Sequence, residues 1–371
     1  MAKNLLIVES PAKATTINKY LGSDFEVLAS YGHVRDLVPK GGAVDPDHDF
    51  EMHYKVIDRN KKHVDKIVAS AKKAGAVFLA TDLDREGEAI SWHISEILKE
   101  RGITEKPIQR VVFSEITKKA IDQAMQNPRD LAGSLVDAQQ ARRALDYLVG
   151  FNLSPLLWKK VSRGLSAGRV QSPALRMIVE REEEIEAFNP KEYWTIGASL
   201  GDADNPFSAN LVKIGGKKLE QFDITSEDQA AEVVKRIERH AETGTNGPVL
   251  ALARIKKSQR RRRPQPPFIT STLQQEAARR LRFTTQRTMR TAQQLYEGID
   301  MGGGENQGLI TYMRTDSVSL SNDALTEIRG VIQADYGAHL VPDKPNFYQS
   351  KSKNAQEAHE SIRPTSAKLT P

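Results

Sequence analysis

The sequence contains no cysteine among its 371 residues, few aromatic residues (6%) and no apolar run long enough to span a membrane. Without cysteine the chain can hold no disulfide, no cysteine-based zinc cluster and no thiol nucleophile. It also lacks the Gly-rich phosphate loop of ATP-hydrolysing enzymes. The N-terminus shows no signal-peptide pattern, so we expect a cytoplasmic protein with no membrane partner.

Positive charge is concentrated in one segment. The net charge is +6, yet residues 254–290 alone hold twelve Lys and Arg against one acid, Glu276. A neutral-to-acidic protein with one strongly basic segment suggests a polyanionic partner. Within the segment, residues 260–267 read RRRRPQPP, and the prolines exclude a helix interior. We interpret this run as a linker that contacts phosphate or as a plain solvated charge run.

The apolar pattern predicts alternating strands and helices over residues 1–128. Strands are expected at 4–9, 75–81 and 109–113, and helices at 12–20, 87–100 and 117–125. This alternation is typical of an α/β fold with a parallel sheet. Further helices are expected at 135–149, 172–186 and 226–239, the last among strands, and again over much of 270–336.

A cluster of acids follows the second strand. Asp82, Asp84 and Glu86 alternate directly after an apolar run, so in extended backbone they would share one face. Ligand sites of parallel sheets lie at this end of the strands, and Mg²⁺ relieves the repulsion between carboxylates. The alternative is a solvated helix start, because acids favour a first helical turn.

The first strand also ends in an acid, Glu9. Ser10 and Pro11 are suited to begin a helix that carries Lys13. Two strands of one sheet would then bring acids to the same edge. Glu9, close to Asp82, is expected to have a raised pKa, as a general acid needs.

Residues 309–317 (LITYMRTDS) follow a Gly-rich break. An extended segment would place Tyr312, Arg314 and Asp316 on one face. Arg314 could stabilise a phenolate and bind a phosphate under attack. The alternative is an ordinary surface pair of Tyr and Arg.

Together these features suggest phosphoryl transfer on nucleic acid, and six segments resemble motifs of the type IA DNA topoisomerases, in their bacterial topoisomerase I form. The segments are 7–13 (IVESPAK), 32–37 (GHVRDL), 80–88 (ATDLDREGE), 164–172 (GLSAGRVQS), 310–317 (ITYMRTDS) and 356–364 (QEAHESIRP). The acidic motif is shared with other Toprim proteins, whereas the tyrosine and GLSAGR motifs are more specific. The resemblance covers nearly the whole chain.

The resemblance implies four parts of the chain. They are a Toprim α/β domain (1–128), the first part of a helical domain that binds single-stranded DNA (129–188), the first part of a mixed α+β arch domain (189–263), and a helical domain that carries the tyrosine (264–371). The return segments of the type IA ring and any zinc-bearing tail are missing, so we expect a truncated chain that does not relax DNA.

The resemblance also implies roles for single residues. Tyr312 would attack a phosphodiester and form a 5′-phosphotyrosyl link, the other strand would pass, and the break would be resealed without ATP, relaxing negative supercoils. The remaining catalytic roles fall to Glu9 as general acid, Lys13 and Arg314 as phosphate contacts, and His359 in proton transfer. The Mg²⁺ ligands would be Glu9, Asp82, Asp84 and Glu86.

A path for single-stranded DNA follows from the same resemblance. Arg143 and Tyr147 share a helical face and would contact phosphate and base, although Tyr147 could equally pack in the core. The other expected DNA contacts are His33, Asn152, Lys159, Ser166, Ala167, Gly168, Arg169, Val170, Gln171 and Arg314. The partner would be the single-stranded segment of negatively supercoiled DNA, and the protein a nucleoid-associated monomer.

Two other functions remain open. A Toprim nuclease or primase would use the same acids without Tyr312. A truncated remnant would bind single strands and never cut them.

Overall fold

A four-stranded parallel sheet flanked by helices forms the first part of the chain in the computed structural model. The model describes residues 4–39, 41–201, 203–242, 251–260, 262–302, 306–349 and 360–369. In chain order the elements of this part are β1 (Asn4–Val8), α1 (Pro11–Leu21), β2 (Phe25–Ala29), β3 (Arg35–Leu37), β4 (Val44–Asp45), β5 (Glu51–Met52), β6 (Tyr54–Val56), α2 (Lys61–Lys73), β7 (Ala76–Leu79), α3 (Arg85–Glu100), β8 (Ile108–Arg110) and α4 (Lys118–Gln126).

The strand order of this sheet is β2-β1-β7-β8, and every pairing is parallel. The α/β fold predicted from the sequence is therefore confirmed. Leu5 and Ile7 point to one face and pack with apolar side chains of α2 and α3, while Leu6 and Val8 pack on the other face with Ile17 of α1. Because the strands are parallel, the residues that follow β1 and β7 meet at one edge.

Two helix starts fix the geometry at this edge. Ser10 caps α1 by accepting a hydrogen bond from the Lys13 backbone N at 3.2 Å, with Pro11 in the first turn, as predicted. Asp84 caps α3 through Gly87 N at 2.9 Å, and Glu86 lies in the first turn. The predicted alternation of Asp82, Asp84 and Glu86 along a strand is wrong, because β7 ends at Leu79 and the backbone turns into a helix.

One long helix, α5 (Gly133–Lys160), follows the sheet region. It extends well beyond the predicted 135–149 and continues through Pro155. Chain segments before and after it belong to the same compact unit, which comprises Met1–Arg169 and Pro264–Pro371.

The second compact unit, Val170–Arg263, contains helices and short antiparallel strand pairs. They are α6 (Gln171–Glu186), the antiparallel pair β9 (Gly197–Leu200) and β10 (Phe207–Asn210), the pair β11 (Lys213–Ile214) and β12 (Lys217–Lys218), and α7 (Glu227–Glu242). The helices agree with the predicted ranges. Residues 251–260, which end at the first arginine of the run, have no regular structure, and neither does Arg262 or Arg263.

The C-terminal part of the first unit is mostly helical. Its elements are α8 (Thr270–Leu281), α9 (Thr285–Glu297), the short pair β13 (Ile299–Asp300) and β14 (Asn306–Gln307), and α10 (Asn322–Val331), which continues as a π-helix over Ile332–Tyr336. No helix within the described ranges is long and apolar enough to cross a membrane.

The segment around Tyr312 is not the alternating strand that the sequence predicted. Tyr312 and Met313 are both buried, the chain bends at Met313 and Arg314, and Arg314 is exposed. Backbone contacts with distant residues hold the segment: Tyr312 N donates to Ser114 O at 2.8 Å, and Thr311 N donates to Arg363 O at 2.9 Å. These long-range contacts override the local alternation.

Candidate active site

The acids that follow β1 and β7 converge on a buried lysine. Lys13 is fully buried, and its ammonium contacts both Glu9 Oε1 and Asp82 Oδ1. The second carboxylate oxygen of Glu9 accepts a hydrogen bond from the Asp82 backbone N at 2.7 Å. The two strands therefore do bring acids together, as the sequence indicated, and the cation between them offsets their repulsion.

The protonation of this pair differs from the prediction. Burial raises the pKa of Glu9, but the charge of Lys13 and the hydrogen bonds from Lys13 and Asp82 together outweigh burial, so the pKa of Glu9 lies below its ordinary value. Burial and the neighbouring Glu9 charge raise the pKa of Asp82 to about 7, against the opposing effect of Lys13. The expected rise in the pKa of Glu9 is therefore wrong: the raised pKa belongs to Asp82, because the contacts with Lys13 and the hydrogen bonds from Asp82 favour the charged form of Glu9.

Tyr312 lies beside the same acids. Its hydroxyl donates a hydrogen bond to Asp84 Oδ2 at 2.6 Å, and Arg314 Nη1 lies 3.7 Å from the same oxygen. Burial and the negative charges of Asp82 and Asp84 raise the pKa of Tyr312 far above its ordinary value, and Arg314 only partly opposes this. In this arrangement Tyr312 is a neutral phenol, not the Arg-stabilised phenolate that the sequence suggested.

Glu86 points along the cleft from the first turn of α3. Its Oε2 lies 3.5 Å from His33 Nε2 and accepts a hydrogen bond from Gln139 Nε2 at 3.2 Å. The His33 contact lowers the pKa of Glu86 to about 2, so the carboxylate is charged at neutral pH. His33 follows β2 and precedes β3. Gln139 was not predicted, and its only signal was a spacing of four from Arg143.

A buried ion-pair network supports the loop between β7 and α3, residues 80–84, called the acid loop below. Arg110 and Glu88 are both fully buried, with Arg110 Nε 3.1 Å from Glu88 Oε2. The same guanidinium donates to the carbonyl oxygens of Asp82 and Leu79. A side chain at Gly87 would place its Cβ 2.0 Å from Asp82 O. Arg110 therefore fixes the backbone of Asp82 and acts as a positioning residue for the acids.

Two clefts meet at these side chains. The acid cleft, of about 800 Å³, has walls formed by the ends of β1 and β7 and by α9, and is lined by Glu9, Tyr31, His33, Asp82, Asp84, Glu86, Arg290 and Arg314 among others. The arginine cleft, of about 380 Å³, is lined by His33, Arg35, Asp36, Arg59, Glu86, Arg142, Arg143 and Asp146 among others. His33 and Glu86 line both clefts, so the two are adjacent.

Two arginines predicted to contact DNA form ion pairs with aspartates. Arg143 donates to Asp36 Oδ1 from Nε at 2.9 Å and from Nη2 at 2.7 Å. Arg169 makes a two-bond pair with Asp146, at 2.9 and 3.1 Å. Neither acid was singled out from the sequence. Both arginines are partly exposed, so their charges remain open to a phosphate.

Tyr147 does not offer its ring to a ligand. It is 9% exposed, its hydroxyl accepts a hydrogen bond from Ala43 N at 3.3 Å, and it packs among Leu37 and other core residues. The prediction of a base-stacking role for Tyr147 is therefore wrong, since core packing covers the ring. Phe151, one helical turn later, is 48% exposed and stacks on Tyr147 with ring centroids 4.5 Å apart.

The other expected DNA contacts are solvent-accessible or begin the second unit. Asn152, Lys159 and Ser166 are exposed, and Ala167 N donates to Ser154 Oγ at 3.2 Å. Gly168 is partly buried, and Val170 and Gln171 are exposed and belong to the unit that starts at Val170. His359 lies outside the described residues.

Carboxylates are the donors for any cation at this site. Within the described ranges no three His, Asp or Glu side chains converge closely enough to hold a metal ion by themselves. Mg²⁺ usually takes one or two carboxylates and completes its shell with water and phosphate oxygens. Asp84 and Glu86, which line one cleft, fit that requirement in number and chemistry.

Known families and proteins match this chain over almost all of its length. Residues 4–116 match the Toprim domain, which is a metal-binding domain, and residues 130–370 match the family described as DNA topoisomerase. The chain is 66% identical over 372 residues to DNA topoisomerase 1 of Xylella fastidiosa (strain Temecula1), covering 100% of this chain and 45% of that protein. It is 55% identical to the Rickettsia felis protein of the same name, covering 99% of this chain and 46% of the relative.

A solved structure gives the same result. The structure of full-length topoisomerase I from Thermotoga maritima superposes with a TM-score of 0.76 at 39% sequence identity, covering 98% of this chain and 55% of that one. The chain thus spans less than half the length of the two curated relatives.

Proposed function

We propose that this chain, which belongs to the bacterial type IA DNA topoisomerase family, carries the centre that cuts and rejoins one strand of DNA through Tyr312. One observation carries the proposal. The hydroxyl of Tyr312 donates a hydrogen bond to Asp84. This contact lies at the edge of the sheet where Glu9, Lys13 and Asp82 converge. A potential nucleophile, a cationic side chain and a proton-holding pair of acids are thereby within one site.

The chemistry is two successive transesterifications. Tyr312 Oη attacks the phosphorus, the bond from phosphorus to the 3′-oxygen breaks, and a 5′-phosphotyrosyl link forms. The phenolic proton passes to Asp84, which already accepts its hydrogen bond. The leaving 3′-oxygen takes a proton from the Glu9–Asp82 pair. Attack by the 3′-hydroxyl reverses each transfer, so the strand is resealed without ATP.

Arg314 supplies positive charge that stabilises the reacting phosphate, and its side chain is 57% exposed. Lys13 is fully buried between Glu9 and Asp82, so its first role is to neutralise acids that would otherwise repel a phosphate. In the strand-bound state, Lys13 is proposed to contact the phosphate, and His359 is proposed to take part in proton transfer.

The nucleophile is shielded before DNA binds. Tyr312 is 3% exposed, and its backbone is tied to Ser114 at the end of the sheet region. A phosphate can reach Tyr312 Oη only after the tyrosine segment moves away from Asp84. Entry of the strand and exposure of Tyr312 are therefore coupled steps in this proposal.

Mg²⁺ is the proposed cofactor, with ligands drawn from Glu9, Asp82, Asp84 and Glu86. When bound it would neutralise phosphate and carboxylate charge together and help hold the cut ends in position. The acid loop itself is held by Arg110, whichever ligands are used.

The strand is proposed to run from the arginine cleft into the acid cleft. Arg143 and Arg169 would exchange their acid partners for phosphates, and Phe151 takes the stacking role predicted for Tyr147. His33 lies where the clefts meet. The proposed substrate is a single-stranded segment of negatively supercoiled DNA, bound by a monomer at the nucleoid in the cytoplasm.

Covalent capture tests this function. The chain is incubated with single-stranded DNA and Mg²⁺ and then denatured, with the DNA labelled at its 3′ end in one arm and at its 5′ end in the other. We expect the 3′ label alone to remain on the protein, since the 5′ phosphate of the downstream fragment is attached. Cut fragments with no label on the protein would instead establish a Toprim-type nuclease, and binding without any cut would establish a non-cleaving remnant.

A further inference from the structure

Tyr31 is an aromatic residue in an unusual position at the edge of the acid cleft. Its backbone φ is 60°, in the left-handed region that side-chain-bearing residues seldom adopt. The residue is 49% exposed and lines the cleft with Glu9 and His33. Neither the sequence motifs nor the proposed chemistry gives this ring a role.

A second ring supports Tyr31 from one side. The imidazole of His63, in the first turn of α2, stacks on it with centroids 3.8 Å apart and planes inclined by 26°. His63 covers one face of the ring, and about half of the surface of Tyr31 remains accessible. A flat ring with one face backed and one face open is the arrangement that stacks nucleobases in single-strand binding proteins.

The backbone around Tyr31 is tied directly to the catalytic strand. Gly32 N donates to Glu9 O at 3.0 Å, and Ser30 N donates to Val8 O at 2.8 Å. The Asn60 side chain donates to the carbonyl oxygens of Tyr31, at 3.5 Å, and His33, at 2.6 Å. The ring is therefore held in a fixed relation to Glu9, and the surrounding contacts maintain its strained backbone, as is common at binding sites.

We propose that Tyr31, backed by His63, stacks a nucleobase adjoining the phosphodiester that Tyr312 attacks. The inference rests on the proposed function, because it requires a DNA strand in the acid cleft. Positive side chains near the ring suit a DNA strand: Arg290 lines the same cleft, and Lys61 and Lys62, next to His63 in the sequence, are exposed. Stacking makes no demand on base identity, so Tyr31 contributes affinity and position rather than sequence preference.

The test uses single-stranded oligonucleotides that carry 2-aminopurine at successive positions around the cleavage site. Binding is measured in the Tyr312→Phe background, so that no cut interferes. We expect strong fluorescence quenching at one position beside the scissile phosphate, which Tyr31→Asn removes and Tyr31→Phe retains. Asn tolerates the left-handed backbone and removes the ring, so affinity should fall about 5- to 100-fold without loss of folding.

Phe50 provides a matched control. It is 55% exposed with a φ of 57°, lies in a turn, and lines neither cleft. Phe50→Asn should leave affinity and quenching unchanged. If Tyr31→Asn binds and quenches like the parent, the stacking proposal is wrong even where covalent capture by the wild type succeeds. If capture fails while Tyr31→Asn still loses quenching, the proposed function is wrong and the stacking site stands.

Discussion

Replacing Tyr312 by Phe is expected to abolish covalent capture of DNA. The change removes one oxygen, which is the proposed nucleophile, and the rate of adduct formation should fall by about 10⁴-fold or more, as for other nucleophile deletions. The ring can keep its edge-on contact with Tyr296, 5.2 Å away, so the fold should persist. The measurement is adduct formation over time on a denaturing gel.

Binding separates loss of chemistry from loss of the site. The affinity of Tyr312→Phe for single-stranded DNA should stay within about twofold of the wild type, since the hydroxyl contacts Asp84 and is shielded from solvent. Tyr336 is 67% exposed, and Tyr336→Phe is the control that should retain capture. If Tyr312→Phe cuts DNA as fast as the wild type, the acids and not Tyr312 carry out the cleavage, and the Toprim-type nuclease is favoured.

The second large effect is expected at Lys13. Lys13→Met leaves Glu9 and Asp82 buried side by side without their cation, and removing one partner of a buried ion pair typically costs about 3–5 kcal/mol of unfolding free energy. Adduct formation should slow by about 100- to 1,000-fold, the usual cost of losing a preorganised charge at a reacting centre. Chemical denaturation and capture kinetics measure the two effects.

The stability loss should depend on pH in a defined direction. In the wild type Lys13 lowers the pKa of Glu9, so this contribution is present above the unfolded pKa and is lost as the pH falls. In Lys13→Met, burial raises the pKa of both carboxyls, so the folded variant binds protons that the unfolded chain does not. The loss of unfolding free energy in Lys13→Met should therefore become smaller as the pH falls from about 8 to about 5. The measurement is made in EDTA.

Lys66 gives the comparison for this variant. It is exposed in the middle of α2, and Lys66→Met should change unfolding free energy by no more than about 0.5 kcal/mol. If the Lys13→Met deficit is equally small, or stays constant with pH, Lys13 does not hold the two acids together.

Local sequence patterns predicted the sheet but not the shape of the acid loop. Buried apolar runs ending in Glu9 and Asp82 identified two parallel strands, and Ser10 with Pro11 identified a helix start. The same period-two pattern failed beyond Leu79, since Asp84 is also a good helix cap, and capping ended the extended backbone. The alternation around Tyr312 failed for a similar reason: its partners, Ser114 and Arg363, are distant in sequence.

Side-chain environments were harder to predict than strand positions. Helical spacing placed Arg143 and Tyr147 on one face, but spacing does not say which part of that face packs on the core, and the exposed ring belongs to Phe151. The pKa of Glu9 depends on its own burial and on the contacts with Lys13 and Asp82, which the local sequence does not reveal. Gln139 and Arg110 act through contacts with Glu86 and with the Asp82 backbone, which no local motif encodes.

Identifying the residue that carries the DNA tests directly whether Tyr312 is the nucleophile. The covalent complex formed by the wild-type chain is digested with nuclease and protease, and the peptide bearing the nucleotide remnant is sequenced by tandem mass spectrometry. We expect a 5′-linked nucleotide on Tyr312. A remnant on any other residue, or cleaved DNA with no modified peptide, would contradict it.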